Sequence, residues 1–321
     1  MKSSQIKDTI LKTGIPLEIS VVKKILKYGL EEFGEVEYER EGQLFSTDIH
    51  VQKEYKILDN LMIVVNFVVE CKYKTRDHIW FFMQFPRGND YSMRSDARND
   101  VFDELSIPLI RKMGYQIKNE PVFSILRIEN FFDVKIVDKG AEIINDKFDP
   151  NTIKRALYQA VFGSVKVQKD SIQYILEKLP SDLDLHAVQN FYENEKETFP
   201  IISITLPVIV TTARLFRLHE DISLEDIEKQ EDIFSLFEEE NGLLLMNLNY
   251  ETVWKFSEEL FKKEPLPIYD ELKSNEHLNL LHLRNPGYVY IINYEHFDEL
   301  FSKCLHKIEN LCEKFSKNFI R

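Results

Sequence analysis

The chain is poor in residues that interrupt regular structure or cross-link small folds. Its 321 residues include only 10 Gly and 11 Pro, which excludes a collagen-like or linker-rich protein. There are three cysteines, an odd number without the spacing of a zinc site, so neither a disulfide framework nor structural zinc is indicated. On that basis we expect a reducing, cytoplasmic location.

Long apolar runs are also missing. No uninterrupted apolar stretch approaches the ~18 positions that a membrane-spanning helix needs, and the first 14 residues lack the apolar centre of a signal peptide. We therefore expect no membrane partner and no secretory leader. The sequence signatures of a P-loop, a nucleophile elbow and a zinc protease helix are absent too.

The chain does contain a large aromatic fraction and an excess of acid. Apolar residues make up 44% of it, with 23 Phe and 14 Tyr, which is enough for a sizeable core. The formal net charge is −13. The first 150 residues carry 22 basic and 25 acidic side chains and the remainder carries 19 and 29, so the two parts have net charges of −3 and −10. A phosphate backbone would therefore bind more readily to the first part.

The apolar pattern switches between helix and strand periodicity, which predicts the α/β class. A helix is predicted over 16–29, where Leu17, Val21 and Ile25 share one face. Further helices are predicted at 100–114, within 150–198 and at 295–315. Strands are predicted at 35–41, 44–52, 61–73, 77–85, 201–216, 243–249 and 287–294.

These elements divide the chain into three parts. We expect a core formed by residues 1–150, a helical segment over 151–200, and a C-terminal α/β part over 201–321 that packs on the core sheet or extends it. The stretch 180–200 is the best boundary candidate, although it is not a clean linker. Strand 201–216 is the element that we expect to pair with the sheet of the core.

The stretch NFVVECKYK begins as an apolar strand and then carries two charged side chains. Glu70 and Lys72 are two positions apart, so they project from one face of the strand. Both ions are costly to bury without partners. A turn at 58–60 would make the numbers of opposed residues sum to 118, which places Asp48 opposite Glu70. Two opposed carboxylates repel each other, and a divalent cation between them reverses the sign of that interaction.

An aspartate followed, after a spacer, by Glu70-Cys71-Lys72 resembles the D…(D/E)xK signature of the PD-(D/E)xK nuclease superfamily, which has the restriction-endonuclease-like fold. The resemblance covers roughly residues 14–85, including the predicted helix before the motif and the strand after it. The usual proline before the first acid is absent, since Ser46 and Thr47 precede Asp48. The resemblance implies a mixed sheet flanked by helices, with the helical middle segment and the C-terminal part as elaborations.

The resemblance also implies roles for individual residues. Asp48, Glu70 and the backbone carbonyl of Cys71 would hold Mg²⁺ or Mn²⁺, because these cations prefer oxygen ligands. Lys72 would orient or deprotonate the attacking water, and Glu18 on the preceding helix would hold a second ion or its water. Three arginines in the polar stretch after the fourth strand either contact phosphates or belong to a solvated loop: Arg87, Arg94 and Arg98.

These residues predict a metal-dependent endonuclease that hydrolyses phosphodiester bonds of DNA, in bacterial restriction or genome defence. The intact set of Asp48, Glu70 and Lys72 disfavours the alternative, a non-cleaving fold that binds nucleic acid or protein. The acidic second part of the chain favours a protein partner or a homodimer. RNA cleavage by the same site stays open, because nothing in the sequence separates DNA from RNA.

Overall fold

The computed structural model of the chain describes ten stretches, and within them the protein has a mixed α/β structure. Two mixed sheets, a two-stranded pairing and six α-helices are present in this part of the chain. The α/β class predicted from the sequence is confirmed. The described residues are 3–56, 61–84, 98–99, 116–117, 135–144, 147–178, 199–219, 221–263, 287–317 and 319–320.

The helices are numbered in chain order. They are α1 Ser3–Lys12, α2 Ile15–Leu26, α3 Asn151–Lys178, α4 Leu224–Lys229, α5 Tyr250–Lys263 and α6 Phe297–Lys317, with short 3-10 turns at Ile233–Leu236 and Tyr294–His296. The helices predicted at 16–29 and 295–315 correspond to α2 and α6, and α3 lies in the predicted helical segment. The helix predicted at 100–114 lies outside the described residues.

The strands are also numbered in chain order. They are β1 Glu31–Arg40, β2 Gln43–Lys56, β3 Leu61–Lys72, β4 Ile79–Met83, β5 Arg98–Asn99, β6 Gln116–Ile117, β7 Lys135–Val137, β8 Lys139–Ile144, β9 Lys147–Asp149, β10 Phe199–Thr211, β11 Arg214–Leu218, β12 Phe237–Glu239, β13 Leu243–Asn247, β14 Tyr288–Asn293 and β15 Phe319–Ile320. Every strand predicted from the sequence has a counterpart, but the single strand predicted at 201–216 is two strands, β10 and β11, which belong to different sheets. Seven short strands were not predicted: β5, β6, β7, β8, β9, β12 and β15.

The first sheet has the order β1-β2-β3-β10-β14-β13-β7, with β5 also paired to β10. Strands β1, β2 and β3 form an antiparallel meander. Strand β10 then runs parallel to β3 over its whole length, from the Phe199–Leu61 pair to the Thr211–Lys72 pair, and parallel to β14 on its other side. The region after residue 200 therefore contributes central strands to the sheet that holds the meander.

The second sheet has the order β12-β11-β4-β8-β9. The chain passes into it twice from neighbouring strands of the first sheet. Strand β3 continues into β4 and β10 into β11, and β4 and β11 are again parallel neighbours. Thr211 Oγ1 donates to the Lys72 carbonyl at 3.0 Å, and the Lys74 N–H donates to Thr212 Oγ1 at 2.6 Å. These bonds hold the end of β3, and with it the charged motif, at the junction of the two sheets.

Helix α3 packs so closely on one face of the first sheet that a side chain has no room at Gly163. A Cβ atom there would lie 2.1 Å from Thr47 Oγ1 and 3.1 Å from Val68 Cγ1. Thr47 Oγ1 donates to the carbonyl of Gln159 at 2.7 Å, which ties β2 to the helix. The close approach fixes the strand position immediately before Asp48.

The other face of the first sheet is covered by α2 and α6. The Phe67 ring, which alternates with Val68, packs on Phe301 of α6 with ring centroids 5.0 Å apart. Lys24 of α2 and Asp298 of α6 form an ion pair at 2.6 Å. None of the helices in the described part of the chain is long and apolar enough to cross a membrane.

Candidate active site

Strands β2 and β3 have the register predicted from their connecting turn. Opposed residues run from Lys56–Met62 to Ile49–Val69, and each pair sums to 118. The predicted register is thereby confirmed. The ladder ends at Ile49–Val69, however, one pair before Asp48 and Glu70 would face each other. Both acids therefore lie where the two strands leave their regular pairing.

A bulge between β1 and β2 explains why the ladder ends there. Gly34 opposes His50 and Val36 opposes Thr47, so Glu35 on β1 faces two residues of β2. Gly34 has a φ of 86°, a backbone conformation that glycine adopts at least cost. Bulges of this kind re-aim side chains and are frequent beside active sites.

The Asp48 carboxylate binds a backbone N–H of β3 at the point where the β2–β3 ladder has ended. Its Oδ2 accepts a hydrogen bond from the backbone N–H of Cys71 at 2.6 Å. Burial raises the pKa of Asp48, the Cys71 N–H and Lys72 oppose that rise, and the charge of Glu35 adds to it. The first acid of the motif is thus anchored to the strand that carries the second.

Glu70 is a fully buried carboxylate with one of its two oxygens unused. The side chain is 0% exposed, and its Oε1 is paired with the Lys72 ammonium. Its Oε2 has no hydrogen-bond partner among the described residues. Burial raises the pKa of Glu70 to about 8, and the charge of Asp48 adds to the rise, while the charge and hydrogen bond of Lys72 and the backbone N–H of Asp48 oppose it. Such an unsatisfied buried group is rare in folded proteins and calls for a functional explanation.

Glu18 of α2 belongs to the same electrostatic environment. Partial burial raises its pKa, and the charges of Asp48 and Glu35 raise it further, while Lys72 lowers it. Glu35 is the acid that sequence reasoning missed, because its proximity to Asp48 depends on the bulge rather than on spacing. The glycine before it, inside an otherwise β-prone stretch, was the available signal.

The structure places the remaining candidates differently. The Cys71 thiol is buried, and burial raises its pKa well above the ordinary value, which does not suit a nucleophile. Arg87 and Arg94 lie outside the described residues. Of Arg98 only the backbone is described, in β5. Their phosphate contacts stay a prediction.

The carboxylates fit only one type of metal site. The described residues contain no group of three or more His, Cys, Asp or Glu side chains that could hold an ion. Asp48 and Glu70 nevertheless offer two carboxylates, and Glu70 Oε2 is available. Mg²⁺ usually keeps several waters and is bound through one or two carboxylates plus substrate oxygens. The pair therefore fits Mg²⁺ or Mn²⁺ that retains part of its water shell, and not an ion enclosed by protein.

Comparison with protein-family models, with curated proteins and with solved structures gives no match. The chemistry of the site is therefore the basis for any statement about function.

Proposed function

We propose that the protein is a metal-dependent phosphodiesterase of the PD-(D/E)xK type, with a restriction-endonuclease-like core. The observation that supports this most is the buried Glu70 carboxyl group, which is paired with Lys72 through one oxygen and has no hydrogen-bond partner at the other among the described residues. A core strand gains nothing from an acidic side chain in this state, because burying a polar group without its full set of partners is costly. The neighbouring Asp48 supplies the second acid that a hydrolytic centre of this type requires.

Asp48 and Glu70 would hold Mg²⁺ or Mn²⁺, with the Cys71 carbonyl as an additional oxygen donor, and Glu18 would hold a water molecule of the ion. The ion, when bound, lowers the pKa of a water molecule and neutralises charge on the phosphate. The Lys72 side chain is 26% exposed and its ammonium is held by Glu70, so it is positioned to orient an incoming water. A fixed cation there would also stabilise the charge that develops on the pentavalent phosphorus.

DNA is the substrate that we propose, in restriction or genome defence. The part of the chain that contains the site has a net charge of only −3, against −10 for the rest. A phosphate backbone is therefore repelled least where the chemistry is placed. The acidic remainder suits a protein partner or a second copy of the chain.

A non-cleaving binding module is the second candidate. The absence of a three-ligand group in the described part of the chain favours it. A module of this kind would bind nucleic acid equally well with and without divalent cations and would leave it intact.

The test is incubation of the purified full chain with supercoiled plasmid and, separately, with single-stranded RNA, in Mg²⁺, in Mn²⁺ or in EDTA. We expect nicked and linear plasmid in either cation and none in EDTA. Cleavage of RNA alone would change the substrate and keep the mechanism. Binding of either nucleic acid without cleavage under any condition would support the binding module and contradict the proposal.

A further inference from the structure

A second buried glutamate lies close to the candidate site and differs from Glu70 in having all the partners it needs. Glu142 of β8 is 3% exposed. Its Oε1 accepts hydrogen bonds from Lys74 Nζ at 2.7 Å, His78 Nδ1 at 3.0 Å and Trp80 Nε1 at 3.0 Å. Burial alone would raise the pKa of Glu142, but these hydrogen bonds outweigh it and lower the pKa, so the group is a carboxylate.

The contact with Glu142 determines which nitrogen of the His78 ring carries a hydrogen. A carboxylate only accepts, so Nδ1 of His78 must carry the hydrogen. The second ring nitrogen, Nε2, is left without a hydrogen-bond partner from the described residues, and the side chain is 17% exposed. An imidazole that a carboxylate orients through Nδ1, with Nε2 left for another partner, is the arrangement that proteins use for proton transfer.

The strand register places the backbone of His78 near that of Lys72. Lys72 pairs with Thr211, and Ile79, the neighbour of His78, pairs with Arg214. The Thr212 N–H donates to the Lys72 carbonyl at 3.3 Å, and the Arg214 N–H donates to the His78 carbonyl at 3.4 Å. These two N–H groups are two positions apart, a span of at most about 7 Å. The chain between Lys72 and His78 therefore loops out and returns, and the backbones of the two residues lie beside each other at the sheet junction.

Lys74 links the two clusters along the chain. Its ammonium reaches Glu142, and its N–H donates to the side chain of Thr212, whose own N–H donates to the Lys72 carbonyl. The charged groups around His78 are then Glu142 from β8, and Lys74 and Asp77 from its own loop. Arg214 of β11 pairs with Glu239 instead.

We propose that His78 is a further catalytic residue of this centre, the general acid that protonates the leaving oxygen, and that Glu142 positions it. The inference rests on the proposed phosphodiesterase function. The attacking water forms the new P–O bond and releases its proton to the surrounding water. The bond from phosphorus to the leaving oxygen breaks, the electron pair stays on that oxygen, and the oxygen takes the Nε2 proton of the His78 imidazolium. The neutral imidazole keeps its Nδ1 hydrogen and regains the Nε2 proton from bulk water, so that no net proton is gained or lost by the protein.

Lys72 and Glu142 are less suited to this role than His78. The Lys72 ammonium is already paired with Glu70 on the side of the attacking water. Glu142 is a carboxylate whose Oε1 receives three hydrogen bonds, so it holds no proton to give. A general acid of this kind typically contributes about 10²–10⁴-fold to the rate.

The experiment compares two leaving atoms. The ends of the products from the natural substrate first show which P–O bond the wild-type protein breaks. One oligonucleotide then carries the natural phosphodiester, and the other carries sulfur in place of the bridging oxygen of that bond. A thiol has a pKa of about 8.5, so a thiolate leaves without a proton. The variants are His78→Asn, whose amide can keep the hydrogen bond to Glu142, and His78→Gln. His306→Gln, at an exposed position on α6, is the control.

We expect both His78 variants to cleave the natural linkage about 10²-fold or more slowly, and to cleave the sulfur linkage within about threefold of wild type. Thermal unfolding of each variant, measured alongside, identifies any that is not folded at the assay temperature. An equal loss on both linkages by a folded variant would show that His78 only supports the loop, and an unchanged rate on the natural linkage would exclude any role. Either result would overturn the inference and leave the phosphodiesterase standing. A wild-type protein that cleaves neither linkage would remove both proposals.

Discussion

Glu70 and Glu142 are both glutamates buried in strands near the same sheet junction, yet their surroundings are opposite. Glu142 receives three hydrogen bonds on one oxygen, and its pKa is lowered. Glu70 has one ion-pair partner, Lys72, an oxygen with no partner among the described residues that meets hydrogen-bond geometry, and a pKa raised to about 8. Burial is common to both, so the difference lies in the number of donors supplied.

The comparison separates a carboxylate that the fold has satisfied from one that it has left available. A satisfied group contributes to stability and orients its partners. An unsatisfied one lowers the stability of the free protein and gains from a cation or substrate that supplies the missing interaction. The predictions below test whether the two glutamates respond in opposite ways.

The largest effect is expected from Lys72→Ala. This change removes the ammonium that Glu70 holds, and with it the cation that would stabilise charge on the reacting phosphate. We expect plasmid cleavage in Mg²⁺ to fall by about 10²–10³-fold, measured as the initial rate of nicking. Lys303→Ala, which removes an exposed lysine paired with Glu299 on α6, is the control and should cleave as the wild type does. A loss of similar size in both variants would contradict a specific role for Lys72.

Glu142→Gln should strongly destabilise the protein. It removes the charge that the Lys74 ammonium faces and weakens the three hydrogen bonds to Oε1. Removing one partner of a buried ion pair costs several kcal/mol, and because Gln still accepts hydrogen bonds and Lys74 is partly exposed, we expect a loss of about 2–3 kcal/mol. Urea unfolding at pH 7 measures it. A variant as stable as the wild type would mean that the Glu142 cluster does not hold the junction.

Gly163→Ala should disturb the support behind Asp48. The added Cβ would lie 2.1 Å from Thr47 Oγ1, so either α3 or β2 must move. Overpacking of this kind typically costs 1–3 kcal/mol, and after the gain in helix propensity we expect a loss of about 2 kcal/mol. The matched control is Gly242→Ala, where no atom lies within 4 Å of the new Cβ. Equal unfolding free energies for the two variants would show that the close approach of α3 is absent.

Glu70→Gln should have the smallest effect on stability and the opposite sign to Glu142→Gln. The folded-state pKa of Glu70 is raised to about 8 from an ordinary 4.5, so the folded protein binds more protons between these values and loses stability as the pH rises. The uncharged variant avoids that loss. We expect it to be about 1 kcal/mol more stable than the wild type at pH 8 in EDTA, because the lost ion pair to Lys72 offsets part of the gain. At pH 4.5 the difference should vanish, and a variant less stable at pH 8 would contradict the assignment.

Much of the fold was predictable from local pattern. The helix before the motif, the meander and its register follow from apolar periodicity and one turn sequence. The second sheet could not be predicted from local pattern, because it depends on the pairing of β4 with β11, which lies more than 130 positions later in the chain. The short strands β7, β8 and β9 contain too few apolar residues to produce a recognisable strand pattern in the sequence.

The candidate site divides in the same way. Asp48, Glu70 and Lys72 could be proposed from spacing, since strand alternation and register convert sequence positions into neighbours. Glu35 depends on a bulge, and Glu142 depends on an unpredicted strand, so neither was identified. That Glu70 Oε2 has no hydrogen-bond partner in the part of the chain that the structure describes is a tertiary property, which no local pattern contains.

The most direct measurement is plasmid cleavage by Glu70→Gln in Mg²⁺, with Mn²⁺ binding to the same protein followed by calorimetry. The change keeps the size of the side chain and removes its charge. We predict that cleavage and Mn²⁺ binding are both lost while the variant unfolds at or above the wild-type temperature at pH 8. A folded Glu70→Gln protein that cleaves plasmid as fast as an active wild type would contradict the account and place the chemistry elsewhere.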